Sequence, residues 1–403
     1  GKKKTNLDGL DAFIVQELKN WKVPGVAIAV VQDGKVILSK GYGLRDVKNN
    51  KPVTPKTLFA IGSATKSFTV ATLGVLVGQG KLDWDKPVRE YLPDFRLYDQ
   101  VAGEHMTPRD LVTHRSGLPR HDVMWYNSTL SRKELYQRLR YLEPNKDFRS
   151  TFQYQNLMFM TAGYLAGEIS GSTWEESVRK NLFASLGMMS SNFSVIESQK
   201  AADFALPYEK DEKEEVKEIA FRPIDEVGPA GSINSNVEDM IQYVLLHLNK
   251  GKHEETQVLT EIDVAEMQTP QMVIPGILRY PEIGHTQYGM GFFITNYRGH
   301  KLVHHGGNID GFSAFVTFMP QDNIGMVILT NLDGTPFPSM LSYNVYDRLL
   351  GMDEIPWSAR FKERQAKDKA AEEDAKKQGL SPRKLGTKPS HDLKDYVGEY
   401  ENP

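Results

Sequence analysis

The chain has 403 residues, enough for two or three domains or for one large domain carrying an insertion. A net charge of −3 gives no reason to expect nucleic acid or an anionic membrane as partner, and the absence of cysteine excludes disulfides and thiol catalysis. No apolar run reaches the roughly 18 residues of a membrane helix, so no membrane span is expected.

Leu7 to Trp21 reads as an amphipathic helix, with Leu10, Phe13, Ile14 and Leu18 on one face. Pro24-Gly25 breaks it. Val26 to Val31, a turn at Gln32-Asp33-Gly34, and Lys35 to Ser39 then read as a strand, a tight hairpin and a second strand. The apolar run ending at Gly62 passes into a helix from 63 to about 78, with Val70, Leu73, Leu76 and Val77 at helical spacing and Gly80 as a left-handed terminator. From Ser63 to about Gly251 the pattern is mainly helical. Thr107-Pro108 looks like a capped start, Leu157 to Ile169 and Trp174 to Leu186 like helices, and Ser235-Asn236-Val237-Glu238 like a capping box opening a helix through Leu248. The charge run Glu209 to Glu218 reads as an exposed loop.

Strands return at Tyr288 to Tyr297, His300 to His305, Gly311 to Met319 and Ile324 to Asn331, and Pro338 to Leu350 reads as a closing helix. Strands at both ends therefore flank a helical insertion and are expected to pair in one antiparallel sheet. The expected fold class is α+β, with residues 1-62 and 281-352 forming the sheet subdomain and 63-280 a mostly helical one. Residues 353-391 read as a charged linker or solvated helix, and 392-403 as the start of a strand, the stub of a further module.

Ser63 and Lys66 sit one helical turn apart, so hydroxyl and amine can meet at a helix mouth rich in unpaired N–H groups. Serine needs a base, and a lysine serves if burial or a nearby cation lowers its pKa. Ser-x-x-Lys recurs at Ser177–Lys180 and Ser381–Lys384, both read as chance, and the bland alternative for Ser63 is a helix-start serine beside a solvated lysine. Tyr154, just before a helix, is a second proton-handling candidate, with Asn156 able to orient lysine and substrate. The alternative is a half-buried tyrosine with a satisfied hydroxyl. Val303-His304-His305-Gly306-Gly307-Asn308 ends a strand with glycines that admit substrate to the backbone, and an N–H here plus that of Ser63 would make an oxyanion hole. The alternatives there are a Gly-rich hairpin with surface histidines, or a metal held by His304, His305 and Asp310. Adjacent strand residues face opposite ways, which weighs against the metal. There is no Gly-x-Ser-x-Gly and no His-Glu-x-x-His. Ser116 near His114 reads as a turn.

With Ser63-Ala64-Thr65-Lys66, Tyr154-Gln155-Asn156 and His304-His305-Gly306 in this order, the chain resembles the serine β-lactamase and penicillin-binding-protein superfamily. The resemblance is to its class C-like branch, which includes class C β-lactamases, D-alanyl-D-alanine carboxypeptidases, D-aminopeptidases and family VIII carboxylesterases. Thr107 to Pro119 and Pro229-Ala230-Gly231-Ser232 also resemble that branch, over about residues 8 to 350. The resemblance implies Ser63 as acylated nucleophile, Lys66 as its proton-transfer partner and Tyr154 as general base and then acid. It further implies Asn156 on the substrate amide, His304 and Gly306 in substrate binding, and Ser63 and Gly307 N–H groups as oxyanion hole. Whether Lys66 or Tyr154 takes the first proton stays open. His304 stands where β-lactamases usually carry a lysine that binds the substrate carboxylate, which favours esters or small peptides over β-lactams. The expectation is a serine hydrolase with no cofactor and no metal, acting on a small molecule or short peptide: an ester, a D-amino-acid peptide or a β-lactam. The alternative is a penicillin-binding sensor with little turnover. Gly1 to Thr5 carries no apolar signal region. An extracytoplasmic protein whose leader is absent from this chain is expected, with a cytoplasmic one as the alternative.

Overall fold

The structure is a computed structural model that describes residues 7–379 and 388–398. The chain divides into two compact units, Gly1–Glu354 and Ile355–Pro403.

In the first unit, helix α1 (Leu10–Trp21) leads into β1 (Gly25–Gln32), β2 (Lys35–Asp46) and a short β3 (Lys51–Pro52). β1 is a continuous apolar run, buried from Gly25 to Val31, as suits a strand covered on both faces. A 3₁₀ turn, Gly62–Ala64, precedes α2 (Thr65–Gly78). Ser63 therefore lies in the tight turn at the mouth of the helix. Residues Thr65 through Gly74 of α2 are all buried, and hydroxyls among them are satisfied inside the protein, Ser67 donating to the Ala64 carbonyl and Thr72 to the Phe68 carbonyl. Its Phe68 stacks on Tyr243, with ring centroids 3.8 Å apart, and burying such a ring contributes about 1.5–3 kcal/mol.

Helix α3 (Asn156–Ser170) and helix α4 (Val237–Leu248) follow. The segment from Trp174 to Leu186 is helical but opens into a π-turn at Arg179–Phe183. The cap of α4 is Asn236, whose side chain accepts from the Asp239 N–H at 2.8 Å. Ser235, expected as the capping residue, pairs with Phe59 in a two-residue bridge instead. The run Glu209 to Glu218 is not a loop but a hairpin, Tyr208–Lys210 against Val216–Glu218. Charges of both signs are mixed along it, so Glu209 faces Lys217 across the strands, and Lys217 also reaches Asp211 at 2.5 Å.

The sheet is completed by β4 (Met272–Val273), β5 (Gln287–Tyr288), β6 (Phe293–Tyr297), β7 (His300–Ile309), β8 (Phe312–Met319) and β9 (Ile324–Thr330). The expected single strand from Tyr288 is thus split by a turn, where the Gly289 N–H donates to the Phe292 carbonyl at 2.8 Å. Among the described residues the main sheet has nine antiparallel strands in the order β4-β5-β6-β7-β8-β9-β1-β2-β3. Strands from the two ends of the sequence meet where Val26 pairs with Thr330 and Gln32 with Ile324. Helix α5 (Phe337–Leu350) closes this unit.

Strand β7 runs past the expected His305 because its glycines keep pairing, Gly306 with Phe315 and Gly307 with Ala314. A Cβ on Gly307 would sit 1.8 Å from the Ile61 carbonyl oxygen, so only glycine lets β7 approach the turn that carries Ser63.

The second unit contains α6 (Trp357–Gly379), with Arg364–Asp368 and Lys367–Glu363 pairs one turn apart. The strand expected from Asp392 is a 3₁₀ turn over Leu393–Tyr396. Its backbone has no neighbouring strand among the described residues, and the His391 N–H is taken by the Tyr396 hydroxyl at 3.1 Å. The Ser381–Lys384 repeat of Ser-x-x-Lys and the last residues of the expected strand lie outside the described residues.

Candidate active site

α2 presents Lys66 to the interior, with no exposed surface. Its Nζ lies 3.0 Å from Ser63 Oγ and donates to the Ala230 carbonyl at 2.7 Å. The same helix face is stitched to residues 229–233: Thr69 Oγ1 donates to the Pro229 carbonyl, and Thr65 Oγ1 accepts from the Ile233 N–H. Burial, and after it the charge of Arg120, holds the Lys66 amine well below its ordinary range, while Asp122 opposes them.

Tyr154 arrives from an extended strap. The Gln153 N–H donates to the His114 carbonyl at 2.8 Å and the Gln155 N–H to His114 Nδ1 at 2.9 Å. His114 has a left-handed backbone, φ 56°, and its ring stacks on Tyr154 with centroids 4.3 Å apart. Gln155 caps α3 through the Leu157 N–H. Tyr154 faces Ser63, and Lys66 Nζ is 4.7 Å from the ring centroid. Burial pushes the phenol above its ordinary range, and the Ser63 hydroxyl and Arg120 pull it back. Asn156 opens α3, and its Nδ2 donates to Asp122 Oδ1 at 3.0 Å.

The third stretch is read one residue out of register by the sequence. His305, not His304, turns toward Lys66 and Tyr154. His305 Nε2 lies 3.2 Å from the Tyr288 hydroxyl and Nδ1 2.6 Å from the Gly306 carbonyl. Nδ1 therefore carries the proton and Nε2 accepts. Burial, then Lys66, pushes its pKa down to about 3. His304 lies on the opposite face of β7, stacked on Phe293 with centroids 5.6 Å apart, and lines a separate cavity of about 400 Å³ together with Gly306. Burial brings its pKa down to about 4. Gly307 supplies closeness to Ile61. The next amide nitrogen, that of Asn308, would lie 2.9 Å from a Cβ on Gly62, against the turn that carries Ser63.

Ser63, Asn156 and Asn308 line one cleft of about 270 Å³, together with Arg120, Asp122, Tyr126, Asp310 and Asp333. Asp310 accepts from the Tyr126 hydroxyl at 2.7 Å and pairs with Arg222. Among the described residues no group of three His, Asp or Glu side chains could hold a metal ion.

Ser63, Lys66, Tyr154 and Asn156 are thus brought together, whereas His304 and Gly306 face elsewhere. Sequence reasoning missed His114, Arg120, Asp122 and Asn308. The first of these sits in the Thr107–Pro119 stretch that carries the resemblance, and the next two follow it directly.

A Beta-lactamase family model matches residues 10–348. The unguisins hydrolase ungD' of Aspergillus campestris is 28% identical, over 97% of this chain and 75% of its own length. The octameric penicillin-binding protein homologue from Pyrococcus abyssi superposes with a TM-score of 0.75 at 28% identity, covering 89% of this chain and 81% of that one. The D-amino acid amidase from Ochrobactrum anthropi SV3 shares the fold, with a TM-score of 0.70 at 22% identity over 86% of this chain and 98% of that one. With more than three quarters of its length matched by that one family model, the chain belongs to the Beta-lactamase family.

Proposed function

We propose that the protein is a serine hydrolase that cleaves small esters or D-amino-acid peptides through an acyl-enzyme on Ser63. The observation that carries this reading is the fully buried Lys66 amine, 3.0 Å from Ser63 Oγ and donating to the Ala230 carbonyl. Burial favours the neutral amine. One of its two N–H groups is spent on Ala230, and its lone pair is free to accept the Ser63 proton.

The order of proton transfers follows from these charge states. Ser63 Oγ attacks the carbonyl carbon as its proton passes to Lys66. The oxyanion is held by the Ser63 and Asn308 N–H groups, in place of the Gly307 N–H expected from sequence. Tyr154, which burial keeps protonated, donates to the leaving group as the tetrahedral intermediate collapses, and recovers a proton from the Lys66 ammonium. The leaving group departs as its conjugate acid. Water then attacks the acyl-enzyme ester, its proton passes through the same pair to Ser63 Oγ as the C–Oγ bond breaks, and the acid product is released. Lys66 is the first base in this scheme and Tyr154 the acid. The neutral His305 offers a carboxylate no full positive charge, which favours esters and peptides over β-lactams.

The test is labelling with a fluorophosphonate probe followed by peptide mapping, beside turnover of p-nitrophenyl esters, D-amino-acid peptides and nitrocefin. A stable adduct on Ser63, lost in Ser63→Ala, supports the reading. No adduct on Ser63 with any probe would overturn it.

A further inference from the structure

If Ser63, Lys66 and Tyr154 react as proposed above, on which this inference rests, a proton travels between a buried amine and a half-buried tyrosine. The charges around such a pair help decide which partner holds the proton. The third-motif lysine that supplies a cation in the β-lactamases is replaced here by His305, whose two ring nitrogens are taken up by Tyr288 and the Gly306 carbonyl. His114 is buried, and its Nδ1 accepts from a backbone N–H. Neither ring carries charge in the working range.

The groups that face Lys66 and Tyr154 come from several elements. Ser63 precedes α2, His305 comes from β7 and Tyr288 from β5, and His114, Arg120 and Asp122 come from the turns after Thr107. Of these, Arg120 and Asp122 are the fixed charges. The Arg120 guanidinium carbon lies 5.0 Å from the Tyr154 ring centroid. Its Nε donates to Asp122 Oδ2 at 2.6 Å. Asp122 Oδ1 in turn accepts from Asn156 Nδ2 at 3.0 Å and from Trp125 Nε1 at 2.9 Å. One carboxylate thus fixes both the cation over Tyr154 and the amide two residues after it.

We propose that Arg120 is a positioning residue for the reaction: tethered by Asp122 across the Tyr154 ring, its guanidinium supplies the positive charge that the third motif lacks. That charge acts on both partners in one direction. It repels a proton on Lys66 and favours the anion of Tyr154, so the amine stands free beside Ser63 and the phenol gives up its proton more readily. Without it, both groups hold their protons more tightly.

The experiment is the rate of Ser63 labelling by an uncharged fluorophosphonate, followed from pH 5 to 10, in the wild type, Arg120→Gln and Arg120→Lys. The Arg120 side chain is 58% exposed, so both variants are expected to fold, and their melting curves check this. In Arg120→Gln the rising limb of the profile, set by loss of the Lys66 proton, is expected to move upward by roughly half to one pH unit. Arg120→Lys, which keeps the charge, is expected to restore most of the displacement. A role confined to packing lowers the plateau and leaves the limb in place. An unmoved limb in Arg120→Gln, or an equal displacement in Arg120→Lys, would overturn the proposal while the hydrolase reading stands. A wild type that never labels at Ser63 removes that reading, and the role given to Arg120 with it.

Discussion

His247 on α4 is buried in the core, with both ring nitrogens lacking a hydrogen-bond partner. It stacks on Phe318 with centroids 5.4 Å apart and meets the edges of Phe292 and Tyr243 at 5.0 and 4.6 Å. Burial drops its pKa from 6.5 to about 3. A group whose folded pKa is depressed contributes stability above its unfolded pKa and loses it as pH falls. The loss here therefore runs from about pH 6.5 down to pH 3. Replacing His247 by Phe removes two unsatisfied polar atoms and the titration together. At pH 7.5 the first effect alone operates, about 1–3 kcal/mol in favour of the variant, reduced by any overpacking from the larger ring. At pH 5 the wild type has lost about 2 kcal/mol more through the unfolded-state proton. His114, His304 and His305 contribute equally to both proteins and cancel. Urea unfolding of both proteins at pH 5, 6 and 7.5 measures the difference. A gap between variant and wild type that does not widen by about 2 kcal/mol toward pH 5 refutes the reasoning, because the ring would then be reaching water or a partner.

Lys66→Gln is expected to slow acylation of Ser63 by about 10²–10⁴-fold, the usual contribution of a positioned base, measured by probe-labelling rate with the fold checked by circular dichroism. Gly307→Ala forces a Cβ to 1.8 Å from the Ile61 carbonyl, and neither backbone can yield. It should destabilise the protein by about 1–3 kcal/mol and slow labelling more than Gly80→Ala, since Gly80 has nothing near it. Asp110 is wholly buried between Arg115 and Arg149, at 2.6 Å from each. Asp110→Ala strands the largely buried Arg115, whereas Arg149 is 45% exposed and can turn to water, and the change is expected to cost about 3 kcal/mol in urea unfolding. Asn236→Ala removes the α4 cap and should cost about 1 kcal/mol by the same measurement.

Ser63 and Lys66 were legible because their relation is local: one helical turn fixes the distance whatever the remaining chain does. Tyr154 was legible only as a candidate, since nothing near it in sequence says that it folds back onto α2. The histidine pair shows where pattern runs out. Two histidines followed by two glycines fit the strand in either register, and a shift by one residue exchanges the faces. Only packing of β7 on the Ile61 turn decides that His305 faces inward. Arg120 and Asp122 look like turn residues until Asn156, more than thirty positions later, arrives to be held. Glu209 to Glu218 misled for a related reason: a charge run reads as a solvated loop, yet its opposite charges pair off once the strand folds back on itself.

The central position of β1 constrains the order in which the molecule can be finished. Its neighbours are β2, made at once, and β9, which ends at Thr330. Synthesis proceeds at about 5–20 residues per second, so β1, β2 and β3 wait tens of seconds or less with the β1 edge open. For most of that wait β7 does not yet exist, and its glycines are missing from the back of the Ser63 turn. The turn that carries Ser63 is thus completed well after its own residues are made, once the strand packed against it has left the ribosome.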